Sequence, residues 1–214
     1  MVRDQYRRGA TKIVVAGAVF FLCCLLRPSG VRADNSPLEV IRSTTNKALA
    51  VLSHSTSSDP AQRKQQREQM WEIVLPQFDT EEIARRSLGT HWQELTEEQR
   101  KEFTRLFVQL IKKNYSSTLD RYTTDAQFSF DKEHIEGEYA EVQTRIITPA
   151  QQKTFSVAYR LHRQGGTWLV YDVVAENVSL VQNYRNQFSR IIAKSSVEGL
   201  FDTLKRKLEE LSAA

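Results

Sequence analysis

From Leu38 onward the apolar positions fall first at helical and later at alternating spacing. Leu38, Ile41, Thr45, Ala48, Leu49 and Leu52 recur at steps of three and four, one face of a helix opening near Pro37. The polar run from Ser53 to Asp59 ends it, and Pro60 starts a second helix. Gln62 to Gln69 is almost wholly polar, whereas Met70, Trp71, Val74 and Leu75 follow, so only the far end of this helix can reach a core. Asp79 with Glu82 three residues on reads as a capping pair and Gly89 as a stop, which predicts a short helix from Glu81 to Leu88. Thr96 with Gln99 repeats the signature and opens a helix to about Leu119. Phe103, Leu106, Phe107, Leu110, Ile111 and Tyr115 form its broad apolar stripe.

After Asp120 the period changes from 3.6 to 2. Phe128 and Phe130 alternate with polar neighbours, as do Ala140, Val142, Thr144 and Ile146, and then Phe155, Val157, Tyr159 and Leu161. These predict three strands with one wet face, and Gly165-Gly166 makes the hairpin turn into a fourth, Thr167 to Val174. In that strand Trp168, Val170 and Val174 lie on one face and Leu169, Tyr171 and Val173 on the other, so both need cover. Which face meets Leu161 depends on the parity of the loop. Helical spacing returns with Leu180, Val181, Tyr184 and Phe188, and a last helix runs from about Val197 to Leu211. Helices, four antiparallel strands and helices again describe one α+β domain.

Charge changes the picture only after the N-terminus is read. Arg3, Arg7, Arg8 and Lys12 precede an uncharged apolar run of 14 residues, Ile13 to Leu26, and Val31-Arg32-Ala33 offers small residues at a cleavage site. That is the layout of a cleaved signal peptide over 1–33, leaving a domain at 34–214. A membrane-spanning helix would need about 20 apolar residues. Of the chain's 30 basic and 26 acidic residues the leader holds six and one, so the remainder carries 24 and 25, a formal net charge of −1 rather than +4. The basic balance therefore gives no support to nucleic-acid binding. Both cysteines, Cys23 and Cys24, also lie in the leader, which removes disulfides and thiolate metal sites from the exported domain. An exported, cysteine-free, near-neutral domain fits a bacterial periplasm.

Candidate chemistry is sparse. His54, His91, His134 and His162 stand in no metal-ligand spacing, and neither a nucleophile elbow nor a phosphate loop is present. The one enzymatic arrangement would set Asp172 as base beside the phenol of Tyr159, on a shared sheet face that an even-length hairpin loop would create. The ordinary reading is that Asp172 ends a strand or pairs with a nearby arginine. The abundant signal is apolar surface, which either fills itself as a core or encloses an apolar cavity.

Two blocks carry a resemblance. WLVYDVVAENVSL running into VQNYRNQF, and FDTEEIARRSLGTHWQELTEEQRKEFTRLF with Gly89, Trp92, Gln99, Arg100 and Phe103, resemble the MlaC family of toluene-tolerance or phospholipid-binding proteins. The likeness spans roughly Val40 to Leu211. Asn177 stands where the family usually has Gly, which implies a left-handed turn that Asn tolerates, and Leu169 stands where Lys is common. The resemblance implies a nuclear-transport-factor-2-like fold, with helices on a curved four-stranded antiparallel sheet enclosing an apolar cavity. It also implies a monomeric periplasmic shuttle without cofactor, metal or catalysis. Phospholipid would pass between an outer-membrane lipoprotein–porin complex and an inner-membrane ABC transporter with an MCE-domain protein. Hopanoid cargo and a non-lipid interaction domain are the alternatives.

On that implication the expected lining is Phe103, Phe107, Leu110, Ile111 and Tyr115 of the long helix, with Phe128, Val142, Ile146, Val157, Tyr159 and Val170 of the sheet. Val181, Tyr184 and Phe188, successive positions on one helical stripe, complete it. Arg185 is expected to turn away and pair with an acid such as Asp172 or to reach a lipid phosphate, and Asn183 to cap or bond local backbone.

Overall fold

The computed structural model describes residues 35–53, 59–122, 126–149 and 152–213, so the signal peptide expected over 1–33 lies outside the described residues. Local signals set most boundaries. Helix α1 (Pro37–Ser53) and helix α2 (Pro60–Val74) begin at prolines, and the Asp59 side chain accepts from the Ala61 N–H at 3.0 Å. A 3-10 turn (Leu75–Gln77) leads to α3 (Thr80–Leu88), capped by Asp79 Oδ1 on the Glu82 N–H at 2.9 Å. Gly89 ends α3 at φ 61° and ψ −128°, a conformation open essentially only to glycine. A second 3-10 stretch (Gly89–Glu94) precedes α4 (Glu97–Tyr122), where Thr96 and Gln99 exchange side-chain to backbone bonds in both directions, at 2.9 and 3.2 Å.

The sheet comprises β1 (Gln127–Glu136), β2 (Tyr139–Thr148), β3 (Lys153–Gln164), β4 (Thr167–Ala175) and β5 (Val178–Ser179), antiparallel and in sequential order. The alternating sets meet across it: Phe128 faces Ile146, Val142 faces Tyr159, Thr144 faces Val157, and Ala140 faces Leu161. Gly165 and Gly166 turn β3 into β4 with φ of 57° and 82°. Four strands were expected and the fifth corrects that count. Glu176 and Asn177, at φ 48° and 64°, form the tight left-handed turn that folds Val178 and Ser179 back onto Ala175 and Val174. Helices α5 (Leu180–Lys194) and α6 (Val197–Ala213) complete the domain.

A bulge decides what faces what. In β4 the register steps from Arg160 opposite Asp172 to Leu161 opposite Val170, which leaves Tyr171 as the extra residue. The loop is two residues long, yet Tyr159 stands opposite Val173, so the enzymatic Asp172–Tyr159 arrangement does not form, and Asp172 pairs with Arg160 at 3.3 Å as the ordinary reading has it. Burial pushes the Tyr159 phenol up to about 12, which keeps it neutral.

Among the described residues three apolar cores result. The largest joins α3, α4, α5 and α6 around Phe103, Phe107, Leu110, Tyr184, Phe188 and Leu200. A second lies on the sheet, where Ala140, Val142, Leu161, Trp168 and Val170 pack with Ile41 of α1. The third, Ala48 with Met70 and Trp71, joins α1 to the far end of α2, and the polar half of α2 stays largely exposed as its composition requires. Phe78 packs against both the helical and the sheet core.

Candidate functional site

Where the helical core and the sheet core part, a small enclosed space of about 50 Å³ remains. Trp71 and Leu75 wall it on one side and Phe107, Val108 and Ile111 of α4 on another; Phe78, Ile83, Val173 and Leu180 close it. Asp172 is also part of the wall, but its oxygens are committed elsewhere. Ser179 Oγ donates to Oδ2 at 2.7 Å, the Val181 N–H to Oδ1 at 3.1 Å, and Arg160 Nη1 to Oδ2 at 3.3 Å. A buried carboxylate at the start of α5 satisfies a helical N–H that would otherwise lack a partner.

The chain reaches this place through a short clasp. Phe78 forms a parallel bridge with Val170, and the Asp79 N–H donates to the Val170 carbonyl at 2.9 Å. Asp79 Oδ2 lies 2.9 Å from His162 Nε2 while Oδ1 caps α3. One acid therefore fixes the start of α3 against both β3 and β4, and with it Phe78 and Ile83.

Outside the enclosed space, and sharing Trp71, Leu75, Thr80 and Val108 with it, lies an open groove of about 1090 Å³. Its rim is charged but internally balanced. Lys101 meets Glu97 at 2.6 Å and Lys112 meets Glu68 at 2.7 Å, while Arg105 chelates Glu102 at 2.9 Å. Arg100 lies over the Trp92 ring at 5.5 Å and donates to the Trp92 carbonyl at 3.1 Å. The rim is thus no dedicated anion clamp.

The residues expected from sequence divide among these places. Phe107 and Ile111 line the enclosed space. Phe103, Leu110, Val181, Tyr184 and Phe188 sit in the helical core, and Val142, Val157, Tyr159 and Val170 in or on the buried side of the sheet. Phe128 and Ile146, half-buried, face one another across β1 and β2. Tyr115 is 40% exposed on α4. The expected Arg185–Asp172 pair does not form. Arg185 Nε donates to the Arg86 carbonyl at 2.7 Å, because the last turn of α3 presents carbonyls without helical partners whereas Asp172 is already saturated. Ser179, not Asn183, caps α5, accepting from the Gln182 N–H at 3.0 Å; Asn183 is exposed. The sequence reading missed Trp71, Leu75, Phe78 and Leu180 as lining. The apolar end of an otherwise polar α2 was the available signal.

Known proteins share this fold. The structure superposes on that of the phospholipid-binding protein from Ralstonia solanacearum, solved in complex with a phospholipid, with a TM-score of 0.72 at 20% identity, covering 81% of this chain and 97% of that one. The chain is 22% identical over 194 residues to the intermembrane phospholipid transport system binding protein MlaC of Haemophilus influenzae, covering 89% of each. Residues 42–206, well over half the chain, match the family described as MlaC protein. With a helical core and a separately packed antiparallel sheet meeting at an apolar space, this chain belongs to the MlaC family.

Proposed function

We propose that the protein is a periplasmic phospholipid carrier that works by binding and transfer rather than by turnover. It would move lipid between an inner-membrane ABC transporter with an MCE-domain protein and an outer-membrane lipoprotein–porin complex, as a cleaved, monomeric domain. The observation that carries this reading is the apolar space at the seam of two independently packed cores, adjoining a groove where Lys101, Arg105 and Lys112 already hold carboxylates. Acyl chains would enter the seam past Phe107 and Ile111, and the headgroup would stay in the groove or in solvent. The name of the Haemophilus relative and the lipid in the Ralstonia structure agree with it.

Two magnitudes shape the mechanism. Ligand sites usually span about 300–1,000 Å³, so a space of about 50 Å³ would have to widen to take acyl chains. Widening would separate Trp71 of α2 and the following Leu75 from α4, and one tie between these helices is the Lys112–Glu68 pair, a partly exposed bridge of the kind that contributes about 0–1 kcal/mol. Once two chains of about 30 methylenes in total are buried, each methylene contributes about 0.8 kcal/mol, offset in part by the costs of association. Spontaneous release into water is therefore slow, and unloading needs an apolar acceptor held by a partner.

Native mass spectrometry on residues 34–214, purified from a periplasm without detergent and then extracted with solvent, tests this. A discrete adduct extracting as phospholipid is expected. A hopanoid adduct would change the cargo, and an unliganded mass with a high, cooperative melting transition would replace the carrier reading with an interaction domain.

A further inference from the structure

Three buried side-chain polar atoms among the described residues have no hydrogen-bond partner: Trp71 Nε1, Thr104 Oγ1 and Ser87 Oγ. Ser87, on α3, lines neither the groove nor the enclosed space. The other two are placed differently. Trp71 is 9% exposed and forms part of the wall of both spaces, and Thr104 of α4 lines the groove. An indole N–H can only donate, and burying it without an acceptor is disfavoured. Native proteins rarely leave such groups unsatisfied, and those that do usually have a reason to.

We propose that Trp71 Nε1–H and Thr104 Oγ1–H are hydrogen-bond donors for an ester carbonyl of the bound glycerolipid. This rests on the carrier reading and assigns the part of the lipid that these two residues recognise. The placement selects the ester. Trp71 stands where the apolar space ends and the charged groove begins, and in a diacyl lipid the group between acyl chain and phosphate is the ester carbonyl, an acceptor that matches the donor left over. The phosphate, further out, would meet a rim where Lys101, Arg105 and Lys112 already hold Glu97, Glu102 and Glu68, and where Arg100 donates to the Trp92 carbonyl. The bond forms as the end of α2 parts from α4: the same movement that admits the chains uncovers the two donors. The orphan donors thus disfavour the empty closed state and favour the loaded one, and they select esterified lipid over hydrocarbon of equal apolar area.

The experiment compares two probes with the lipid-stripped, full exported chain: dioleoyl phosphatidylglycerol and its dialkyl ether analogue, which has the same headgroup and no ester carbonyl. Transfer to acceptor vesicles gives the retention time of each. A single neutral hydrogen bond corresponds to roughly a three- to tenfold effect. Wild type should hold the ester lipid longer than the ether lipid by that factor. Trp71→Phe, which keeps an aromatic side chain but removes the N–H, should bring the ester-to-ether ratio towards one, and Thr104→Val should shrink the ratio in the same direction. A purely structural role would lower both probes alike. The proposal is overturned if wild type does not distinguish the probes, or if both variants keep the wild-type ratio. The wild-type comparison stands even if Trp71→Phe fails to fold. If wild type retains neither probe, the carrier reading itself fails.

Discussion

The helical core and the sheet core of this domain are filled in different ways. Around Phe103 the rings of Trp92, Phe107, Phe188 and Phe201 stand at 5.5 to 6.5 Å between centroids, mostly edge to face, and Tyr184 closes on Phe107 at 4.7 Å. The sheet core is mainly aliphatic, with Val142, Leu161 and Val170 fully buried beside Ile41, and Trp168 as its one buried aromatic. Interlocked aromatic pairs add specific geometry to area burial and make a wall that does not readily reshape. Strand positions packed on a single helix make a second, separate wall. Each is satisfied without the other, and the yielding place is the seam between them, where Phe78 bridges the two.

The most drastic way to break that comparison is to fill the seam. Ile111→Trp should abolish lipid co-purification while the fold persists, read by native mass spectrometry beside circular dichroism. Lipid still bound at wild-type levels would place the cargo elsewhere. Next in size, Phe103→Ala removes the hub of the aromatic cluster and should cost about 3–5 kcal/mol in denaturant unfolding. Leu161→Ala tests the sheet in the same assay and should cost about 2–4 kcal/mol; if it costs more than Phe103→Ala, the aromatic core is not the stiffer half. Asp172→Ala leaves the Val181 N–H, Ser179 and Arg160 without their shared acceptor and should lower stability by about 1–3 kcal/mol.

The smallest effect is a pH dependence. Hydrogen bonds from Arg85, then Arg86, hold the Glu82 carboxyl down to about 2 from an ordinary 4.5. A depressed carboxylate stabilises the fold above its ordinary value, and that contribution disappears as pH falls from about 4.5 through about 2. Because Arg85 is half exposed, solvent screening reduces it to about 1 kcal/mol. Glu82→Gln should flatten acid unfolding by that amount over this window, with an unchanged slope counting against the assignment.

Much of the fold was legible because its signals are local. Capping pairs such as Asp79 with Glu82 and Thr96 with Gln99 act over three residues, and strand alternation fixes which of Val142, Val157 or Leu161 can share a face. Asn177 announced its left-handed turn for the same reason, although the two-residue strand that the turn enables was not foreseen. The lining of the seam was legible only in part. Phe107 and Ile111 sat on an obvious apolar stripe, but so did Phe103 and Leu110, and the stripe does not say which of its members meets another core and which meets a gap.

By itself the sequence determined the elements, their amphipathic faces, the α+β order and the family likeness. Only the tertiary structure decided that Tyr171 bulges out of register, so that Asp172 meets Arg160 and not Tyr159, and that Arg185 reaches a carbonyl at the end of α3. It also decided that Trp71, in the wall of the apolar space, and Thr104, in the adjoining groove, are left with unmet hydrogen-bonding capacity. The physical reason is range. Caps, turns and alternation are settled by bonds within a few residues, whereas a cavity exists where two surfaces, each formed by distant segments, satisfy themselves before they can satisfy each other.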